Sequence, residues 1–314
     1  DLMTEISVWL DSQISEPGQA LIPHKHLANM VGSFARERVE IESDSRSVIF
    51  KCGTSNAKLQ TTDSSMYPLT GTEPEGVSII MGNADLKAGL AILFAAANDS
   101  SRPTLQGARF GLDGDTLTLE ATNGYCMAMR TLKVSSSSRS SVIVPKSALS
   151  IVQQLLSDAE GVTVVSISQA RVTFQLPSVQ ISVSLIPGTF PNCKEVIPSN
   201  HPCLVTINRQ ELMRAVRSAL VISHELKVIR VIAREEELAL ASSTQEIGEY
   251  NSTLSADVVG ESKVAFNGDH LVDALQSMTS EKVSLEMKDK TDPVAIREGS
   301  DYVVVVMPMI TSEW

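Results

Sequence analysis

Several things are scarce in this chain of 314 residues, and each scarcity excludes something. Aromatics make up only 4% of it, yet 43% is hydrophobic, which leaves ample apolar material for the cores of two or three ordinary domains. No apolar run approaches the roughly 20 residues of a membrane-spanning helix. No secretory leader is visible, although the start "DLMTEISVWL" need not be the natural one. The four cysteines (Cys52, Cys126, Cys193, Cys203) are scattered without C-x-x-C spacing, as expected of reduced thiols in a cytosolic protein. Positive charge is also short. A net charge of −11 argues against gripping nucleic acid with the whole surface.

Catalytic and metal signatures are missing as well. There is no Gly-rich phosphate loop, no G-x-S-x-G and no H-E-x-x-H. His24 and His26 stand two apart and diverge by about 200° on a helix. No Cys or carboxylate is spaced to complete a zinc site with them. Asp113-Gly114-Asp115 is too short for a calcium loop and sits at a hairpin turn. The expectation is therefore no catalytic residue, no metal and no cofactor.

What the chain does have is a repeat. Leu27, Leu149 and Leu271 are spaced by 122 residues and again by 122. Each opens a short helix pattern that leads into three strand patterns. The first strands carry Val39 and Ile41, Val162 and Val164, or Val283 and Leu285. The second carry Val48 and Phe50, Val172 and Phe174, or Val294 and Ile296. The third carry Ala57 and Leu59, Ile181 and Val183, or Val303 and Val305. Alternation of this kind marks half-buried strands. Copies two and three carry another half-unit ahead of this one. In copy two it is "NADLKAGLAILFAAAND", with Asn83 as N-cap and Leu86, Leu90, Leu93, Phe94 and Ala97 on one helical face, then "QGARFGL", Asp113-Gly114 and "TLTLEAT". In copy three it is "NRQELMRAVRSALVIS", "VIRVIA" and "ELALASS".

Copy one is expected to be incomplete: Asp1 aligns with Asn123, so about forty residues matching 82–122 have no counterpart. "TGTEPEG" (70–76) and "PSNHPC" (198–203) read as linkers, and "SSSSRSS" (135–141) as a mobile surface loop. The expected domains are 1–75, 76–200 and 201–314, each an α+β unit of two helix-plus-strands halves.

The repeat and four stretches resemble the beta subunit of bacterial DNA polymerase III, the sliding-clamp family: "SRPTLQG" (101–107), "LTLEATNGYCMAMR" (117–130), "FPNCKEVIP" (190–198) and "VVMPM" (305–309). The resemblance covers the whole chain. It implies a cytoplasmic, bacterial, non-catalytic homodimer joined head to tail as a ring, with nucleoid association during replication. Helices would line the hole around duplex DNA and sheets would form the outside. Leu27, Met30, Val31, Phe34, Ala57 and Leu59 would face Leu220 and Val221 of the second copy. Lys25, Lys87, Lys146, Arg209, Arg214 and Arg217 would face DNA without reading its sequence, with Arg102 near the rim. Helical geometry agrees at one point: Lys25 lies about 160° from Leu27, and Arg214 and Arg217 lie about 200° and 140° from Leu212. The same positions would equally suit a solvated helix face.

The resemblance also gives a use for "DYVVVVMPMI" (301–310), four valines in a row near the end of the sequence. In the family this strand helps wall a cleft where peptides of the polymerase, clamp loader and repair proteins insert Leu and Phe. The matching positions are Leu105, Thr122, Gly124, Tyr125, Cys126, Met127, Pro191, Val196, Val305, Val306, Met307, Pro308 and Met309. Methionines adapt to different apolar guests, and a proline ends the ladder. Alternate valines should face the sheet interior and only the others the groove. Glu195 and Ile310 stand where relatives often carry arginine, and Tyr125-Cys126 where a His-Arg pair is common, so the pocket is less basic here. A repeat scaffold that binds peptides without DNA is the alternative.

Overall fold

The computed structural model describes residues 3–35, 37–44, 46–63, 65, 67, 76–156 and 160–311. The linker expected at 70–76 lies outside them but for Gly76, as does the boundary at residue 75. Two compact units result: Leu10–Glu73, and Asp1–Trp9 with Pro74–Trp314.

The smaller unit holds helix α1 (His24–Ser33) and an antiparallel sheet ordered β2-β3-β4 (Val39–Ser43, Ser47–Cys52, Ser55–Gln60). Its core is thin: Val48, Phe50 and Cys52 are buried, while no side chain of α1 is.

The larger unit also begins with a strand, β1 (Thr4–Val8), which comes first in the chain. Its central region runs β5 (Val77–Gly82), α2 (Asn83–Gly89), β6 (Gly107–Asp113), β7 (Thr116–Thr122), β8 (Cys126–Lys133), β9 (Arg139–Pro145), α3 (Lys146–Leu155), β10 (Val162–Ile167), β11 (Arg171–Gln175) and β12 (Val179–Ser184). The C-terminal region runs β13 (Cys203–Asn208), α4 (Arg209–Ser223), β14 (Val228–Arg234), β15 (Glu237–Thr244), β16 (Gly248–Ser255), β17 (Asp257–Val259), β18 (Ser262–Asn267), α5 (Gly268–Gln276), β19 (Lys282–Met287), β20 (Val294–Glu298) and β21 (Tyr302–Val306). Among the described residues these form three sheets, ordered β1-β12-β11-β10-β5, β17-β13-β19-β20-β21-β8-β7-β6-β9 and β16-β15-β14-β18. Helices and inner sheet faces share one continuous core, in which Leu86, Leu149, Leu212 and Leu271 are fully buried.

The repeat is visible as a repeated joint. In the nine-stranded sheet β21 pairs with β8, Val304 opposite Ala128. In the five-stranded sheet β12 pairs with β1 the same way, Ile181 opposite Ile6. Residues 6 and 128 are 122 apart, so the first strand of the chain takes the place in its sheet that β8 takes in the larger one.

Four local expectations are corrected. Asn83 is not an N-cap: Gly82 is, and Asn83 is buried, its Nδ2 donating to Glu160 O (3.0 Å) and its Oδ1 accepting from Thr163 Oγ1 (2.8 Å). Burial between strand and helix outcompetes the cap role, which Asn208 does fill for α4, accepting from the N–H of Gln210 and Glu211. The helix of copy two tightens to 3-10 over Leu90–Ala95. In β10 the inward residues are Thr163, Val165 and Ile167, leaving Val162 exposed, a shift by one that turns every side chain over. The serine-rich run is only partly loop, since Arg139, Ser140 and Ser141 belong to β9 and pair with β6.

Candidate peptide-binding and DNA-facing sites

The strand that opens the question is buried on both sides, but against different things. Val304 and Val306 pack into the main core, while Val303 and Val305 belong to a second, smaller apolar cluster with Leu105, Met127, Ile143, Phe190 and Cys193. The period of two explains the split. Register sets Val303 opposite Met129 and Val305 opposite Met127 on one face, and Val304 opposite Ala128 and Val306 opposite Cys126 on the other. Cys126 and Val306 therefore point away from the cleft face, and their role is to hold the strand pair.

Past Val306 the ladder continues for one bond, Met307 N–H donating to Tyr125 O at 2.9 Å. Pro308 has no N–H to offer. Met309 N–H then donates to Ala265 O of β18 at 2.7 Å, so the tail crosses from the central to the C-terminal region. Met307 is 39% exposed and Ile310 93%.

The tip between β7 and β8 forms the facing wall. Asn123 Oδ1 accepts from Tyr125 N–H (2.9 Å) and Cys126 N–H (2.8 Å). Thr122 Oγ1 donates to Cys126 O (2.8 Å) and accepts from Gly124 N–H (3.1 Å). Gly124 has φ +92°, which a side chain would resist, and a Cβ there would lie 3.0 Å from Arg102 Nη1. Arg102 itself donates to Asn123 O at 3.0 Å. The residue expected near the DNA rim is thus a neighbour of the candidate peptide-site turn. Tyr125 (66% exposed), Pro191 and Val196 (44%) complete the open surface. Leu105, Met127 and Val305 lie buried as its floor, and Thr122 braces the tip. Phe190, Cys193 and Val303 join this apolar cluster without having been expected there; the alternation that puts Val303 on the face of Val305 is a signal for Val303 alone. Burial pushes the thiols of Cys126 and Cys193 each up to about 12, so both stay protonated and apolar.

The basic residues divide. Arg214 and Arg217 are exposed on α4, and Lys87 and Lys25 on α2 and α1. Lys146 is tied down: its Nζ donates to Ala96 O (3.1 Å) and Asn98 Oδ1 (2.8 Å), and burial lowers its pKa. Arg209 likewise donates to Ser280 O (2.8 Å) and Leu275 O (3.0 Å), closing the end of α5. These two act first as struts. Of the dimer set, Leu27, Met30, Phe34, Ala57, Leu59 and Leu220 are half-buried, and Val31 and Val221 are exposed. His24 and His26 are exposed on α1. No group of three or more His, Cys, Asp or Glu among the described residues is placed to hold a metal.

Between the central and C-terminal regions sits a buried ion pair. Arg130 lies 3.4 Å from Glu298 and 4.2 Å from the ring centre of Tyr302, and donates to Ala88 O at 2.9 Å. Glu298 Oε1 accepts four bonds from the N–H and O–H groups of Thr279 and Ser280. Burial works to raise its pKa, and these bonds outweigh it and hold the carboxyl low.

Residues 86–192 match the model of the DNA polymerase III beta subunit central domain, and residues 194–310 that of its C-terminal domain, together well over half of the chain. The chain belongs to the DNA polymerase III beta subunit family. Among relatives, the beta sliding clamp of Pseudomonas putida is 26% identical over 303 residues, covering 94% of this chain and 83% of the relative. That of Staphylococcus epidermidis is 24% identical over 308 residues, covering 95% and 82%. A Pseudomonas aeruginosa sliding clamp solved with griselimycin superposes at TM-score 0.93 with 24% identity, over 99% of this chain and 87% of that one. The fold of this beta-subunit chain is the clamp fold.

Proposed function

We propose that this chain is a DNA sliding clamp, a non-catalytic and cytoplasmic processivity factor of three clamp domains that encircles duplex DNA as a homodimer. The observation that carries the proposal is the repeated joint. Its two copies within the chain use β12 with β1 and β21 with β8. The equivalent strands of the remaining copy are β4 and β16, and among the described residues each pairs with one neighbour, β3 and β15. A second copy of the chain, arranged head to tail, supplies the missing partner for each. Two unlike contacts of this kind close a two-chain ring. Ala57 and Leu59 of β4 with Leu27, Met30, Val31 and Phe34 would form one side, and β16 with Leu220 and Val221 the other.

Arg214, Arg217, Lys87 and Lys25 are the candidates for phosphate contact. Such contacts weaken steeply with salt and are indifferent to sequence. The apolar floor and its open walls would take Leu- and Phe-bearing tails of polymerase, clamp loader and repair proteins.

A second reading, a peptide scaffold without DNA, draws support from charge. Lys146 and Arg209 are engaged internally, Asp85 shares α2 with Lys87, Glu211 shares α4 with Arg214 and Arg217, and α5 carries Asp269 and Asp273 but no lysine or arginine. Loader-assisted retention on nicked circular DNA separates the two. A clamp stays on the circle and leaves after linearisation; a scaffold is never retained.

A further inference from the structure

The sheet face that carries the second apolar cluster continues into a groove that the peptide-site assignment leaves unused. A cavity of about 760 Å³ lies along segment 185–192, lined by Arg109, Ser141, Ile186, Phe190 and Pro191 among others. A second cavity of about 520 Å³ adjoins it, sharing Arg109 and Ser141 and adding Arg139 and Lys194. Both reach the candidate cleft through one stretch of chain. Phe190 belongs to the cluster that floors the cleft, Pro191 lines its wall, and Lys194 shares a 3-10 turn with Val196.

The groove is also locally basic on a chain of net charge −11. Its lining holds Arg109, Arg139 and Lys194 against a single carboxylate, Asp113. Arg139 pairs with Asp113 at 2.7 Å. Arg109 pairs with Glu120, a carboxylate only 1% exposed, and its Nε donates to Ser141 Oγ at 2.9 Å. Lys194 is exposed and makes no ion pair with any described residue. The serine and asparagine groups between them add donors without adding negative charge.

We propose that this groove receives acidic residues flanking the apolar anchors of the peptide docked in the cleft, and so extends the recognised segment along 185–194. The proposal rests on the cleft reading above. It gives the site a source of charge selectivity that Glu195 and Cys126 do not supply.

The test uses calorimetry on the whole protein with a short Leu-Phe core peptide, the same core carrying three glutamates at its N- or C-terminal end, and the glutamate peptide with a scrambled core. One extension should tighten binding by about twofold to fivefold, the range expected of one exposed charge pair at Lys194, the cation of the groove not already paired among the described residues. Lys194→Glu with Arg139→Glu should abolish that gain and leave the core peptide's affinity unchanged, and 0.5 M salt, at roughly the 4 Å Debye length that implies, should shrink the gain in the native protein. If the core peptide binds and neither extension adds affinity, the groove proposal falls and the cleft stands. If the core peptide does not bind, both fall. Equal binding of the scrambled glutamate peptide also overturns the proposal, because the groove then acts apart from the cleft.

Discussion

At the scale of single residues, the floor and the wall of the cleft should respond differently to substitution. Met307 is 39% exposed and Val305 2%. Met307→Ala removes apolar surface that only a docked peptide would bury, so it should weaken a Leu-Phe peptide by about tenfold and leave the melting temperature nearly unchanged. Val305→Ala opens a cavity and should cost stability of about 1–3 kcal/mol as well. Calorimetry and thermal melts of the pair check both. Gly124→Leu is a poorer probe, because a side chain at φ +92° beside Arg102 would distort the tip as well as fill the site. Asp273 gives a pH test. Burial first, then the nearby Asp269, raise its pKa, with His270 and Lys146 opposing. A carboxyl raised in the folded state binds protons more tightly there. Its ionised form is therefore a burden, growing as pH rises above the ordinary aspartate value. Asp273→Asn should melt higher than the native protein at pH 7, and the difference should vanish as pH falls below that value. A constant difference from pH 3 to 7 would refute the assignment.

At the scale of elements, much was legible because local patterns agreed with global ones. The helices α1, α3, α4 and α5 and the strands of the half-units lie along the chain where apolar periodicity put them, although β10 turns its faces over and Ile41 of β2 is exposed. The misses share one cause: contacts distant in sequence overrode local preference. Asn83 gave up a cap for a strand 80 residues away, at Thr163. Lys146 and Arg209 looked like free surface charges until the chain ends they support were in place. The family resemblance put Arg102 near the rim, but only the fold brings it to Asn123. The buried Arg130–Glu298 pair, 168 residues apart, left no sequence signal at all. It joins β8 to the turn around Thr279 and Ser280. Arg130→Met should destabilise by about 3 kcal/mol, since one partner of a buried pair is left behind. Urea unfolding measures it; a loss under about 1 kcal/mol would show that the bonds from Thr279 and Ser280 already satisfy Glu298.

At the scale of the whole molecule, one joint used twice within the chain supports the proposed third use between chains. Val221 is 70% exposed at the end of α4, which packs on β15 and β16. Lysines at positions 220 and 221 would place unpaired charge in the proposed contact. Leu220→Lys with Val221→Lys should convert dimers to monomers by light scattering, with peptide affinity retained. Dimers persisting in that variant would move the interface elsewhere.

β21 serves two masters. Its even-numbered valines anchor the central core, and its odd-numbered ones support the surface where a ligand would lie. Any compound seated there rests on the seam that holds two regions together. The chain therefore has little freedom to evade such a compound by altering the floor, because a substitution that repels the compound also loosens the seam. Escape from a ligand of the proposed cleft would have to come from the open positions, Tyr125, Val196, Met307 and Ile310, whose side chains lie outside both apolar clusters.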